Sequence, residues 1–150
     1  MITWQLVPFS ELNTNQLYQL IKLRVDVFVV EQTCPYPELD DKDHQQGVHH
    51  LLGYQGEELV ACARLLPVGL SYPSVSIGRV ATLESKRGGG LGHKLLKQAL
   101  LGCESLWPGE NIEIGAQEHL AQFYSKHGFV QTSEMYLEDD IPHIDMILEK

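Results

Sequence analysis

Ser76-Ile77-Gly78-Arg79-Val80-Ala81-Thr82-Leu83, followed after two residues by Lys86-Arg87-Gly88-Gly89-Gly90-Leu91-Gly92-His93-Lys94, is the stretch whose reading decides the fold. Apolar and β-branched residues from Val75 to Leu83 predict a strand. Leu91, Leu95, Leu96, Ala99, Leu100 and Leu106 recur at helical spacing and predict a helix that Trp107-Pro108-Gly109 closes. Strand thus passes through glycines into helix. Glycines let backbone approach a ligand, and the first amides of a helix have no internal acceptor. Together with the positive end of the helix dipole they make an anion site suited to a pyrophosphate. Lys86, Arg87, Lys94 and Lys97 bracket the turn as a basic island.

Two nucleotide motifs compete for this turn and fail. Counted from Gly88, a Walker A loop meets His93 where its second glycine belongs, and the dinucleotide fingerprint GxGxxG meets the same His93 at its third. The dinucleotide reading also lacks an N-terminal βαβ unit. A ligand-free glycine turn is the bland alternative.

Outward from the turn, Thr3 to Leu6 reads as a first strand. Asn13 with Gln16 resembles a capping box opening a helix from Thr14 to Val29, ended by Cys34-Pro35-Tyr36-Pro37. His49 to Tyr54, the turn Gln55-Gly56 and Leu59 to Leu66 read as a hairpin. Ile112 to Ala116 is a short strand, Glu118 to Lys126 a short helix stopped at His127-Gly128, and Val130 to Leu137 and Ile144 to Leu148 are closing strands. Strands and helices interleave without strict βαβ alternation, so the expectation is a mixed α/β (α+β) sheet with helices on both faces, one domain over residues 1–150.

Composition narrows the function. A net charge of −9 argues against a nucleic-acid surface and suits a cationic substrate. No apolar run approaches the roughly 18 residues of a membrane span. The start Met1-Ile2-Thr3-Trp4-Gln5 lacks a signal-peptide pattern. Cys34, Cys62 and Cys103 have no paired spacing, so reduced, structural thiols and a cytoplasmic location are expected. His44, His49 and His50 with Asp40, Asp41 and Asp43 do not make a metal site, because His49 and His50 are adjacent on a strand and point to opposite faces. The acidic run Glu38, Asp40, Asp41, Asp43 reads as a solvated face or as the rim of a pocket for a cationic amine. Arg64 and Arg79 are expected to pair with acids such as Glu31.

Arg87-x-x-Gly90-x-Gly92 between strand and helix resembles the Arg/Gln-x-x-Gly-x-Gly/Ala motif of the GNAT superfamily of N-acetyltransferases. Phe123-Tyr124-Ser125-Lys126-His127-Gly128-Phe129 is similar to the same family's tyrosine-bearing stretch ending in Gly-Phe. Arg24 to Gln32 with Cys34-Pro35-Tyr36, and Ile141-Pro142-His143-Ile144, bring the resemblance closest to the ElaA-type acetyltransferases. The resemblance implies a central mixed, mostly antiparallel sheet flanked by helices on both faces, and acetyl-CoA as the acyl donor. It implies that Arg87, Gly88, Gly89, Gly90, Leu91, Gly92 and His93 hold the pyrophosphate. Val80, Ala81 and Thr82 would line the pantetheine arm, and Gln117 stands where relatives often carry a cofactor-touching Asn.

Acetyl transfer to an amine needs a bound thioester, a neutral amine and a proton for the departing sulfur. The resemblance makes Tyr124 the proton donor. A phenol of pKa about 10 is a weak acid toward a thiol near 8.5, so a hydrogen bond that strengthens on sulfur is its easier role. A lysine-like amine is neutral about once in several thousand molecules at pH 7, which makes a base useful. His119, on the same short helix as Tyr124, is one candidate base; Glu31 and His143, assigned to the substrate side, are others, and the sequence does not choose among them. The expected partner is a small-molecule or peptide amine, with no nucleic acid and no membrane; the rival reading is a non-catalytic acetyl-CoA sensor.

Overall fold

The computed structural model describes all 150 residues, Met1–Lys150. One eight-stranded sheet organises the chain. Its strands are β1 (Thr3–Pro8), β2 (His49–Gln55), β3 (Glu58–Leu66), β4 (Val75–Thr82), β5 (Ile112–Gln117), β6 (Val130–Gln131), β7 (Tyr136–Glu138) and β8 (Ile141–Leu148). The spatial order is β1-β2-β3-β4-β5-β8-β6, with β7 also paired to β8. All pairings are antiparallel except β4 with β5. That is the mixed, mostly antiparallel sheet the sequence implied.

Side-chain alternation on the hairpin sorts two cores onto the two faces. Leu51, Ala63 and Leu65 point into a large cluster with Leu91, Leu95, Leu96, Ala99 and Cys103 of helix α2 (Leu91–Leu106). Leu52, Leu59 and Cys62 point the other way, onto Leu20 and Leu23 of helix α1 (Thr14–Arg24). Helices therefore cover both faces. His49 and His50 part in the same manner: the first lies against Trp107 and the second against Phe9. Gly102 lets α2 settle close, since a Cβ there would stand 3.0 Å from Leu65 Cδ2.

The capping box forms as expected, with the Asn13 side chain accepting from the Gln16 amide at 2.8 Å and Gln16 Oε1 accepting from the Asn13 amide at 3.0 Å. The helix ends earlier than its apolar pattern predicts. Beyond Arg24 the segment Val25–Glu31 widens into a π-helical turn, and Gln32 N donates five residues back to Val27 O. The β-branched residues Val25, Val27, Val29 and Val30 are poor α-helix formers, and such turns recur at functional sites. The expected strand from Val130 to Leu137 is also interrupted: Ser133 Oγ accepts the Asp145 amide at 2.9 Å, taking a ladder donor from the backbone and separating β6 from β7.

The acidic loop is not a solvated face. Arg24, wholly buried, donates to both Asp43 oxygens at 2.6 and 3.2 Å and through Nε to Glu38 at 2.8 Å. Arg64 forks onto Asp40 at 2.8 and 2.9 Å and reaches Asp43 at 3.1 Å. Arg79 donates to Glu38 Oε2 at 2.6 Å. Three guanidinium groups thus meet three carboxylates, and neither Arg64 nor Arg79 reaches Glu31. Chains of buried ion pairs cost desolvation and are best read as devices that fix one arrangement. Here they bolt the loop to α1, β3 and β4.

Burial pushes the Asp40 carboxyl up, but the hydrogen bonds and charge of Arg64, with help from the Lys42 amide and Arg79, outweigh it and hold the group well below the usual carboxylate range. Asp43 is lowered in the same way by Arg24 and Arg64 against burial. Their folded-state pKa values lie below the unfolded value of about 3.9, so the stability they contribute is present above that pH and is lost as the pH falls further. Asp43→Asn should cost about 3–5 kcal/mol at pH 7, because it leaves Arg24 buried beside a neutral group. It should also flatten the decline in stability between pH 4 and 2, both read by denaturant unfolding.

Candidate active site

The parallel pairing of β4 with β5 stops almost where it starts. Val75 faces Ile112 and Ser76 faces Glu113, and no further pair forms. On the other side of β4, Cys62 pairs with Ala81 and Arg64 with Gly78, so Ala63 alone opposes Arg79 and Val80. This is a β-bulge, which bends the bulged strand and increases its twist. Arg79 carries it in a left-handed conformation, φ 50°. From Ile77 onward β4 and β5 splay, and a cleft of about 500 Å³ opens between them. Val80 lines it; Ala81 turns into the core beneath α1, and the Thr82 carbonyl is taken by Arg87.

Beyond Thr82, β4 leads through a short turn at Glu84–Lys86 into the glycine turn that opens α2. Gly88 (φ 97°) and Gly90 (φ 78°) adopt backbone conformations that L side chains avoid, and a Cβ on Gly88, Gly89 or Gly90 would enter open space. The amides of Gly88, Gly89, Gly90, Leu91, Gly92 and His93 have no acceptor in the protein, and α2 runs 16 residues behind them. The free amides at the head of a helix that the sequence predicts are thus present. Phe123 floors this turn, 3.4 Å from where a Gly92 Cβ would be. His93 leans on Phe123 and its Nδ1 lies 2.8 Å from His127 Nε2. Arg87 does not point into the site: its guanidinium forks onto Glu31 and donates to the Thr82 carbonyl at 2.7 Å.

Tyr124, on α3 (Ala121–Ser125), lines the middle of the cleft at 7 % exposure, held edge-on by Phe123 and Phe129. Its hydroxyl bonds to no protein group, and burial pushes its pKa up to about 12. Gln117 closes the end of β5 by donating to Gln32 Oε1 at 3.1 Å, so the π-helical turn is tied to the cleft.

His119 is not beside Tyr124. It sits on a separate 3₁₀ turn, Glu118–Leu120, exposed and outside the cleft. Even a continuous helix would have set residues five apart about 140° from one another. Glu31 is likewise displaced from the substrate side, since Arg87 occupies its carboxylate. His143 is in the cleft, 8 % exposed. Its Nδ1 lies 2.7 Å from the Ile141 carbonyl, its Nε2 lies 3.5 Å from Glu138, and its ring stacks on Tyr136. A carbonyl only accepts, so Nδ1 carries a hydrogen, while Nε2 faces the Glu138 carboxylate.

Tyr72 lines the cleft without a sequence signal. It and Tyr136 both donate to Asp145 Oδ1, at 2.8 and 2.7 Å, drawing the loop before β4 over Gly115 of β5. Cys34, expected to be buried, lines the cleft instead and donates to the Asp139 carbonyl. Partial burial, then the charges of Asp139 and Asp140, raise its thiol pKa, which disfavours a nucleophilic thiolate. Asp139 and Asp140 both have positive φ and form the two-residue turn of the β7–β8 hairpin.

Residues 17–150 match the family model described as an acetyltransferase (GNAT) domain. The chain is 45 % identical to the protein ElaA of Escherichia coli K12 over 99 % of its own length and 97 % of that protein. The crystal structure of Escherichia coli ElaA superposes with a TM-score of 0.94 at 44 % identity, covering 99 % of this chain and 100 % of the other. An acyl-CoA N-acyltransferase from Pseudomonas aeruginosa gives the same TM-score at 43 % identity, covering 98 % and 99 %.

Gly89 offers the cleanest test of the anion site, since its φ is not positive and a side chain would meet no wall. Gly89→Glu should weaken coenzyme A binding at least tenfold by adding negative charge to the turn, while Gly89→Ala should stay within about threefold. Equal affinities by calorimetry for folded Gly89→Glu and wild type would remove the turn from donor binding.

Proposed function

The chain belongs to the acetyltransferase (GNAT) family, whose members take acyl groups from coenzyme A thioesters, and from that premise we propose that it transfers an acetyl group from acetyl-CoA to a primary amine by direct attack in a ternary complex. One observation carries the reading: β4 and β5 part after Ser76 into a cleft lined by Tyr124, whose hydroxyl has no protein partner, and β4 leads on to a turn of free amides at the head of α2. A sensor would need the amides but not the hydroxyl.

Acetyl-CoA brings an acyl carbon already activated as a thioester; the protein's contribution is orientation and proton handling. The amides of Gly88 to His93 take the pyrophosphate, and the free edge of β4 from Ile77 to Val80 guides the pantetheine arm. Gln117 holds the opposite wall. With its pKa near 12, full proton transfer from Tyr124 to a thiolate near 8.5 would be uphill by about 3.5 units, roughly 5 kcal/mol. Tyr124 therefore serves as a hydrogen-bond donor to the leaving sulfur, and solvent supplies the proton.

Of the candidate bases, His143 lies in the cleft and His119 does not. His143 takes the proton the amine gives up as nitrogen bonds to the acyl carbon and the carbon–sulfur bond breaks. Glu138 and Asp139 give the acceptor side of the cleft negative charge, which suits a cationic amine. Free Cys34, Cys62 and Cys103 suit a reducing compartment, and we place the protein in the cytoplasm as one domain over residues 1–150. No helix is long and apolar enough to cross a membrane.

Thiol release with acetyl-CoA and a panel of amines tests the assignment. Tyr124→Phe should keep coenzyme A affinity and lower kcat about 10²-fold. His143→Gln should lower kcat by a similar factor, whereas His119→Gln should match wild type. Acetyl-CoA binding with no turnover on any amine would favour the sensor; wild-type rates in both cleft variants would take Tyr124 and His143 out of the chemistry.

A further inference from the structure

The sharpest backbone anomaly near the cleft is Arg79. It is one of five non-glycine residues with positive φ, and the only one within a strand; the others, Thr33, Asp41, Asp139 and Asp140, lie in loops and turns. An arginine has no intrinsic reason to adopt this conformation, which persists only where surroundings over-determine it. The surroundings here are specific. Arg79 Nε donates to Glu38 Oε2 at 2.6 Å, and its Nη2 donates to the Glu38 carbonyl at 3.0 Å and to Asp40 at 3.4 Å. Glu38 is itself anchored, through the same Oε2, by the fully buried Arg24. The Arg79 carbonyl receives the Cys62 thiol at 3.7 Å from β3. Side chain and backbone are thus pinned from two directions.

What is pinned is the bulge. Arg79 and Val80 are the two residues opposing Ala63, and the bend they make follows the point where β4 leaves β5. A straight β4 would continue the parallel ladder begun at Val75 and Ser76, and the seam would close.

We infer that Arg79 is a positioning residue for the acyl donor: gripped by Glu38, it holds β4 in the bulged conformation that keeps its edge free for the thioester arm. It touches no reacting atom in this role. The acidic loop becomes a working part of the donor site, although its carboxylates contact arginines and not the ligand. The inference rests on the acyl-CoA reading above.

The discriminating comparison is between two truncations. Arg79→Gly and Arg79→Ala both remove the guanidinium, but only glycine adopts the left-handed backbone without cost. If Arg79 acts through the bulge, Arg79→Ala should bind acetyl-CoA at least tenfold more weakly than wild type by calorimetry, and Arg79→Gly should recover most of that loss. Glu38→Gln should weaken binding as Arg79→Ala does, and adding Arg79→Gly to it should restore affinity. Should Arg79→Ala fail to fold, the Glu38→Gln pair of variants decides alone. Equal weakening by alanine and glycine would overturn the inference in favour of direct ligand contact, as would unchanged acetyl-CoA affinity with only the amine KM raised. Failure of wild type to bind acetyl-CoA would instead overturn the function itself, and with it this role.

Discussion

Everything in this protein turns on two neighbouring strands that decline to pair. β4 and β5 run parallel and share only the contacts at Val75–Ile112 and Ser76–Glu113. Unpaired strand edges are costly when buried and hazardous when exposed, so a sheet interior seldom leaves them open. Here the exception opens the cleft: main-chain donors and acceptors that would have satisfied one another are left unpaired. The same divergence admits side chains from both faces, Tyr124 from the α3 side and His143 from β8.

Holding that gap open requires rigidity around it, and the molecule supplies it in unlike ways on its two sides. Apolar packing does the work under α2, where Leu95, Leu96 and Ala99 are fully enclosed and hold the helix that the glycine turn opens. Under α1 the apolar cluster is small, and charge takes over. Arg24, Arg64 and Arg79 draw Glu38, Asp40 and Asp43 inward until a surface loop becomes part of the interior. A long loop that would otherwise fray is thereby fixed against the strand that needs support.

The two cleft side chains show how environment sets what a group offers. Tyr124 sits among Phe123 and Phe129, and burial keeps its phenol protonated. His143 turns Nδ1 to a backbone carbonyl and Nε2 toward a carboxylate. Neither setting follows from residue type alone.

Periodicity and glycine chemistry are local properties, and they were legible in the chain. The hairpin, the α2 stripe, the capping box at Asn13 and the free amides from Gly88 to His93 depend on residues within a turn or two of one another, and they emerged much as read. Motif spacing likewise placed Tyr124 in the cleft. What the chain concealed was every contact made across long separations. The partners of Arg24, Arg64 and Arg79 lie 14 to 41 residues away, and Arg87 finds Glu31 across 56. Such pairings are chosen by the sheet's order and by the bend at Arg79, not by anything written beside the residues. For the same reason His119, near Tyr124 in sequence, was turned outward by a 3₁₀ step, while His143, 19 residues further on than Tyr124, was brought in by the register Gln117↔His143 between β5 and β8. The sequence by itself determined the hairpin, the α2 stripe, the capping box and the glycine turn, because these need only local geometry; the tertiary structure decided where α1 and the closing strands break, which charges cancel and which imidazole lies in the cleft, because those depend on where distant strands come to lie.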